Sequence, residues 1–183
     1  MKAYKDIPIF PLKSIILPGG QFPLRIFERR YLDMTRDCLK NNNGFIIALT
    51  KRDSDYISSV YDYASYVEIV DWSQLDGGLL GITVEGKQIV KLSNCNLDEC
   101  NLLKGDAEEV QYGVDYLVPQ KYQILSKFYK KIYPEIKAYI FHIKPKYNDA
   151  NWLGFRLIEC LPIELNDKAD LISMQEPLSL IHI

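Results

Sequence analysis

The stretch Ile7–Met34, IPIFPLKSIILPGGQFPLRIFERRYLDM, carries the strongest structural signal in the chain. Pro8 and Pro11 flank a short strand. Proline cannot donate to a ladder, so this strand is expected at a sheet edge. Ser14 to Leu17 is an apolar connection, and Pro18-Gly19-Gly20 is a strong turn signal. Gln21 to Ile26 reads as a second strand. A helix over Glu28 to Asn41 follows. Phe27, Tyr31, Met34, Thr35 and Cys38 recur on one stripe at helical spacing, which places Phe27 and Tyr31 in the core. Asn41-Asn42-Asn43-Gly44 supplies residues that tolerate a left-handed C-cap.

Working outward, Phe45 to Thr50 is an apolar run of the length of a buried strand, and Lys51 to Ser59 is a polar surface loop. Tyr61 to Trp72 alternates around Tyr63, Ser65, Val67, Ile69 and Asp71, as a strand does. Asp76-Gly77-Gly78 signals a hairpin. Leu79 to Val84 and Gln88 to Leu92 read as two strands pivoting at Glu85-Gly86, and Leu102 to Val110 as the last strand.

After Gly113 the pattern turns helical. Pro119 suits a first turn. Leu125, Phe128, Tyr129, Ile132, Ile136, Tyr139 and Ile140 follow at helical spacing, with Pro134 implying two helices or a kink. Asn148-Asp149 caps a helix from Ala150 to Cys160, whose apolar groups are Trp152, Phe155 and Leu157 and which Pro162 ends. Asn166-Asp167 is expected to cap a last pair of short helices near Leu171 and Leu178. The expected architecture is α+β: a β-rich body over residues 1–113 with one inserted helix, then a helical subdomain over 114–183.

The 183 residues suit one domain with an appendage, and 48% hydrophobic content suits a globular core. The net charge of −2 is spread evenly, which argues against a polyanion binder. No apolar run reaches the roughly 20 residues of a membrane span, and Met1 to Asp6 lacks a signal peptide's apolar stretch, so a cytoplasmic protein is expected. Cys38, Cys95, Cys100 and Cys160 then read as free thiols. Cys95 and Cys100 have no CxxC and no nearby histidine, so no metal and no cofactor are expected.

The opening resembles the Lon N-terminal domain, the substrate-binding domain of the ATP-dependent Lon proteases. The resemblance rests on Ile9-Phe10-Pro11-Leu12, Pro18-Gly19-Gly20 and Pro23-Leu24-Arg25-Ile26-Phe27-Glu28-Arg29-Arg30-Tyr31. It continues through Ala64 to Ile69 and through Val84 to Leu92, where Ile89 and Val90 replace the family's usual Arg and Phe. The helix from Asp149 to Pro162, with Trp152, Arg156-Leu157 and Glu159, resembles a family helix with Asn151 in place of Ser, and Met174 to Leu180 resembles the segment that follows it. The resemblance implies a PUA-like β pseudobarrel with a helical extension. It also implies a non-enzymatic domain that binds unfolded or partly folded polypeptide, or another protein. Lon's ATPase and Ser-Lys protease modules would lie beyond residue 183. The expectation is a stand-alone domain; the apolar ending Ile181-His182-Ile183 leaves a piece of a longer protein as the alternative.

No residue pattern here supports catalysis. Gly81 to Gln88 is P-loop-like, but Gln88 replaces the Mg²⁺-binding Ser/Thr, and Ile82-Thr83-Val84-Glu85 prefers a strand. His142 and His182 lack nucleophile partners, and Glu108-Glu109 are neighbours expected on opposite faces of a solvated edge.

Two features fit binding. The first is the knuckle Glu28-Arg29-Arg30 beside apolar Phe22, Leu24 and Ile26, a candidate polypeptide site that the resemblance also borders; the structural alternative is that Glu28 stabilises the helix N-terminus. The second is the tract Lys121, Lys127, Lys130, Lys131, Lys137, Lys144 and Lys146 among Tyr122, Tyr129, Tyr133 and Tyr139. Lysine with tyrosine can hold RNA weakly, most directly through Lys127, Lys130 and Lys131, whereas an amphipathic helix with a solvated lysine face is the simpler expectation.

Overall fold

The computed structural model describes residues 1–51, 59–111, 116–136, 144–160 and 162–174. Among these residues the strands are β1 (Ala3–Leu12), β2 (Gln21–Ile26), β3 (Phe45–Leu49), β4 (Tyr63–Gln74), β5 (Leu80–Leu97) and β6 (Leu103–Glu109). The helices are α1 (Arg29–Asn41), α2 (Gln123–Ile136), α3 (Ala150–Cys160) and α4 (Leu165–Ser173). The sheet order is β2-β5-β4-β3-β1-β6, and β5 also pairs with β6. Five strands therefore close into a ring, and β2 lies outside it on β5. This is the α+β pseudobarrel expected from the sequence, with α1 inserted between β2 and β3.

Closure gives β1 a partner on each flank, yet each half of the strand is an edge on one of them, as its prolines predict. The strand pairs antiparallel with β6 from Ala3 to Ile9 and parallel with β3 from Ile9 to Leu12. The prolines are tolerated because each sits where β1 is paired on one flank: Pro8 opposite Lys104 of β6, and Pro11 opposite Ala48 of β3. Glu108-Glu109 is no solvated edge, since both residues pair with β1 or β5, and Glu109 accepts hydrogen bonds from the Lys2 N–H and Gln88 Nε2.

The two strands expected around Glu85-Gly86 are one 18-residue strand. Its first half pairs with β2 and its second half with β6 on that same flank. Gly86 stands at the change of partner. There the Gly19 N–H donates to the Gly86 carbonyl (2.8 Å), and the Gly86 N–H donates to the Gly20 carbonyl (2.9 Å). A Cβ on Gly86 would lie 2.4 Å from the Leu17 carbonyl oxygen. The glycine marks close backbone approach rather than a turn. The residues that do turn are Gly77 and Gly78, both with positive φ, in the β4–β5 hairpin.

α1 begins at Arg29, with Glu28 as its extended N-cap, and ends at Asn42 in the left-handed conformation. Tyr31, Met34, Thr35 and Cys38 are buried, as their spacing predicts. Phe27 is not in the core: it is 69% exposed. The strand period still governs this position, so Leu24 and Ile26 point inward and Phe27 outward before the helix begins.

α3 matches its expected bounds, and its N-terminus is capped by Asp149, whose Oδ1 accepts the Trp152 N–H at 3.0 Å. α4 starts earlier than Asn166-Asp167 suggested, with Glu164 at the N-cap. Pro134 lies inside α2, two residues from its last described position. Tyr139, Ile140, His142, Leu178 and His182 fall outside the described residues, as do Lys137, the boundary at Gly113 and most of the loop and tail around Lys51–Ser59 and Met174–Leu180.

The helices are packed onto the ring. Leu17 and Ile89 of the β body meet Phe155, Ile158 and Ile172 in one buried cluster. Arg156 of α3 is 0% exposed; its Nη2 donates to the Leu17 and Pro18 carbonyls and to Glu159, and the Glu159 carboxylate accepts the Leu17 N–H at 2.8 Å. This pair binds the helix to the Pro18-Gly19 turn.

Candidate functional site

The knuckle after β2 is divided by the geometry of the helix start. Arg29 is 82% exposed and pairs with Asp33 one turn on (2.8 Å). Arg30 turns the other way. Its guanidinium pairs with Glu28, lies 4.8 Å from the Tyr31 ring, and donates to the Asn101 carbonyl in the β5–β6 turn (2.7 Å). Glu28 places its carboxylate on Arg30 and makes no side-chain bond to the helix N-terminus.

The apolar half of the predicted site is elsewhere. Leu24 and Ile26 are buried beneath α1 with Tyr31 and Met34, and Phe22 is half-buried against the same cluster. A sheet residue whose side chain packs against the helix above it cannot also face a surface ligand. Glu28 and Arg30 are thus brought together, while Leu24 and Ile26 are committed to the core under α1 and Phe22 is half-buried against it.

Arg30 instead borders a cleft of about 580 Å³ between α1, the first half of β1 and the β5–β6 turn. Its apolar lining comes from Ile7, Met34, Cys38 and Leu102. The α1 wall carries Arg30, Asp33 and Asp37; the strand and turn side carries Lys2, Lys5 and Lys104 together with Asp6 and Asp98. At one end Tyr4 stacks on Tyr66 at 4.7 Å, and the Tyr66 hydroxyl accepts the Gly44 N–H at 2.9 Å. Burial raises the phenol pKa of both tyrosines. Burial also pushes the Cys38 thiol up to about 11, so at neutral pH it is an unreactive thiol. On the strand side, Asp106 takes hydrogen bonds from Asn94, Lys5 and the Asp6 N–H, which hold its carboxyl down at about 2.

Sequence reasoning found Arg30 and missed the remainder of the cleft. Tyr4, Tyr66 and Lys104 come from three strands, with Lys2 just ahead of the first; their proximity follows from ring closure, and no local pattern reports it.

The lysine tract follows the amphipathic pattern within the described residues. Lys127, Lys130 and Lys131 are exposed on α2, whereas Tyr129 is fully buried against Trp152 (5.5 Å, edge to face) and cannot stack on a base. Lys130 lies 5.0 Å over the Tyr147 ring. The P-loop-like Gly81 to Gln88 is held within β5, paired with β4 throughout most of its length. Among the described residues no three His, Cys, Asp or Glu side chains converge as a metal site, and no helix is long and apolar enough to cross a membrane.

A closed ring of strands, covered by one inserted helix and braced by others, places this protein among PUA-like pseudobarrels. The chain belongs to the ATP-dependent protease La (LON) substrate-binding domain family, whose model matches residues 6–182. Among solved structures it is similar to a Lon N-terminal domain protein from Xanthomonas campestris, at 24% identity and a TM-score of 0.79, with 97% of this chain and 93% of that chain covered. It is also similar to the N-terminal domain of Mycobacterium avium complex Lon protease, at 16% identity and a TM-score of 0.66, with 99% and 95% covered. A search of curated proteins finds no significant match.

Proposed function

We propose that this domain is a non-enzymatic polypeptide-binding module and that the cleft beside Arg30 is where it holds its substrate. The observation that carries the reading is the composition of that cleft: apolar groups among charges of both signs. Apolar contacts favour the exposed side chains of unfolded chains, and the rim charges orient them. Family membership supports the same class of function. Ordering an unfolded segment costs conformational entropy, so affinity is expected to be in the micromolar range.

The test is capture of a permanently unfolded protein, reduced and carboxymethylated lactalbumin. Arg30→Glu and Asp37→Lys should each weaken capture about two- to five-fold, the scale of one partly exposed charge contact. Arg29→Glu should leave it unchanged, because Arg29 points away. Lys130→Glu with Lys131→Glu should also leave it unchanged. Loss of capture in the lysine variant alone, with ribonuclease-sensitive material bound to the wild type, would reject this site in favour of α2. The non-enzymatic half of the reading rests on Lys87, which pairs with Glu85 at 2.6 Å inside a strand and has no loop around it to wrap phosphate. ATP turnover that Lys87→Ala abolished would refute it.

A further inference from the structure

We infer that the cleft takes an extended polypeptide by adding it as a strand along the free flank of β1, a recognition mode that rests on the polypeptide-binding reading above. β1 is paired with β6 from Ala3, but β3 joins its other flank at Ile9. Among the described residues, Ala3 to Pro8 therefore have no strand neighbour on the β3 side. The cleft is lined by Tyr4, Lys5, Asp6, Ile7 and Pro8 in unbroken succession. A strand presenting its face would contribute alternate residues; consecutive ones indicate that its edge borders the space.

The direction of the main-chain groups agrees. The Lys2 carbonyl accepts the Glu109 N–H, so Lys2 faces β6. Alternation then turns the N–H and C=O of Ala3, and next of Lys5, toward the open flank. Asp6 has a positive φ of 48°, and its N–H is held by Asp106, so the bulge fixes this edge in place. Pro8 has no N–H and ends the register. The free stretch admits about six residues at about 3.3 Å each.

The walls define the occupant. An added strand sends alternate side chains to opposite sides. The lining offers them apolar Ile7, Met34 and Leu102 and, on α1, the carboxylates of Asp33 and Asp37, while the cations Lys5, Arg30 and Lys104 are each already paired with an acid, at Asp106, Glu28 and Asp98. The favoured segment is extended, with apolar residues alternating with basic ones. Main-chain pairing supplies affinity that is independent of sequence, which suits a domain that meets many unfolded chains.

The test compares a peptide of about ten alternating valine and lysine residues, long enough to span the flank, with the same peptide N-methylated at every second residue. Methylation should weaken binding about ten-fold or more, the effect of losing one or two main-chain hydrogen bonds. The unmodified peptide should protect the Ala3 and Lys5 amides from hydrogen exchange. Equal binding of both peptides without that protection would overturn strand addition and leave polypeptide binding standing. Failure to bind either peptide or carboxymethylated lactalbumin would overturn both. A dimer of the protein that the peptide dissolves, with the same amides protected in the dimer alone, would give the flank to a second copy and also overturn the inference.

Discussion

At the scale of single residues, the most consequential side chain is Arg156. It is a charged group in the buried run of α3, and it is fully buried because two carbonyls of the Leu17–Pro18 segment and the Glu159 carboxylate surround it. Burial lifts the Glu159 pKa above the usual carboxylate range, while Arg156 and the Leu17 N–H pull it back. Arg156→Met should cost about 3–5 kcal/mol, because it leaves a buried carboxylate without its cation. A raised acid contributes its stability below its unfolded pKa and loses it as pH rises through the folded one. Without Arg156 that folded value climbs further, so urea melts should show the variant's deficit to be smaller in mild acid than at neutral pH. A deficit independent of pH would mean that the arginine acts through packing alone.

Asp106 shows the opposite sign. Its hydrogen bonds from Asn94, Lys5 and the Asp6 N–H depress its folded pKa to about 2 from 3.8. Its contribution is therefore present above 3.8 and lost as pH falls toward about 2. Asp106→Asn should lower the melting temperature at neutral pH, and the gap from wild type should close across that window. A gap that stays constant down to the lower limit would show that the carboxylate's charge is not what secures the β1 bulge.

At the scale of elements, α3 shows how a helix is committed to one place. Trp152, Leu153, Phe155, Leu157 and Ile158 are all buried, because the helix has α2 on one side and the β ring on the other. Trp152 packs edge to face on Tyr129 and Tyr147. Trp152→Ala should cost about 3–5 kcal/mol by chemical denaturation, as large aromatic truncations in cores do. A loss under about 1 kcal/mol would mean that the surrounding rings collapse into the space.

β2 and α1 show a boundary between two periodicities. The spacing of Phe27 with Tyr31 suits a helix, yet Phe27 obeys the strand that precedes it and is exposed. One residue's difference in where the helix starts decides which side of the sheet that ring occupies. The same accounting sends Leu24 and Ile26 inward and leaves Arg30 to the cleft.

At the scale of the whole molecule, the body and the helical region share a buried cluster through Leu17, Ile89, Phe155, Ile158 and Ile172. The Pro18-Gly19-Gly20 turn serves both, since its backbone pairs with Gly86 and carbonyls beside it accept from Arg156. The division at residue 113 is thus best proposed as a change of secondary structure within one cooperative unit, and a single unfolding transition by fluorescence and circular dichroism would bear that out.

Local composition alone determined much of this protein. The Pro-Gly turn, the bounds of β2 and α3, the buried β3, the Asp-Gly-Gly hairpin and the stripe of α1 each depend on neighbours within a few residues, where propensity and periodicity act directly. Order and spacing along the chain also carried the family. Tertiary structure decided what depends on distant partners. Ring closure gave β1 and β6 partners on both flanks, continued β5 through Glu85-Gly86 because the Leu17–Gly20 backbone needed a glycine to rest on, and left the first half of β1 open on one flank beside α1. The cleft belongs to that second category. Its walls are the charges of a helix and of strands far apart in sequence, and only the pairing of strands across the ring brings them face to face.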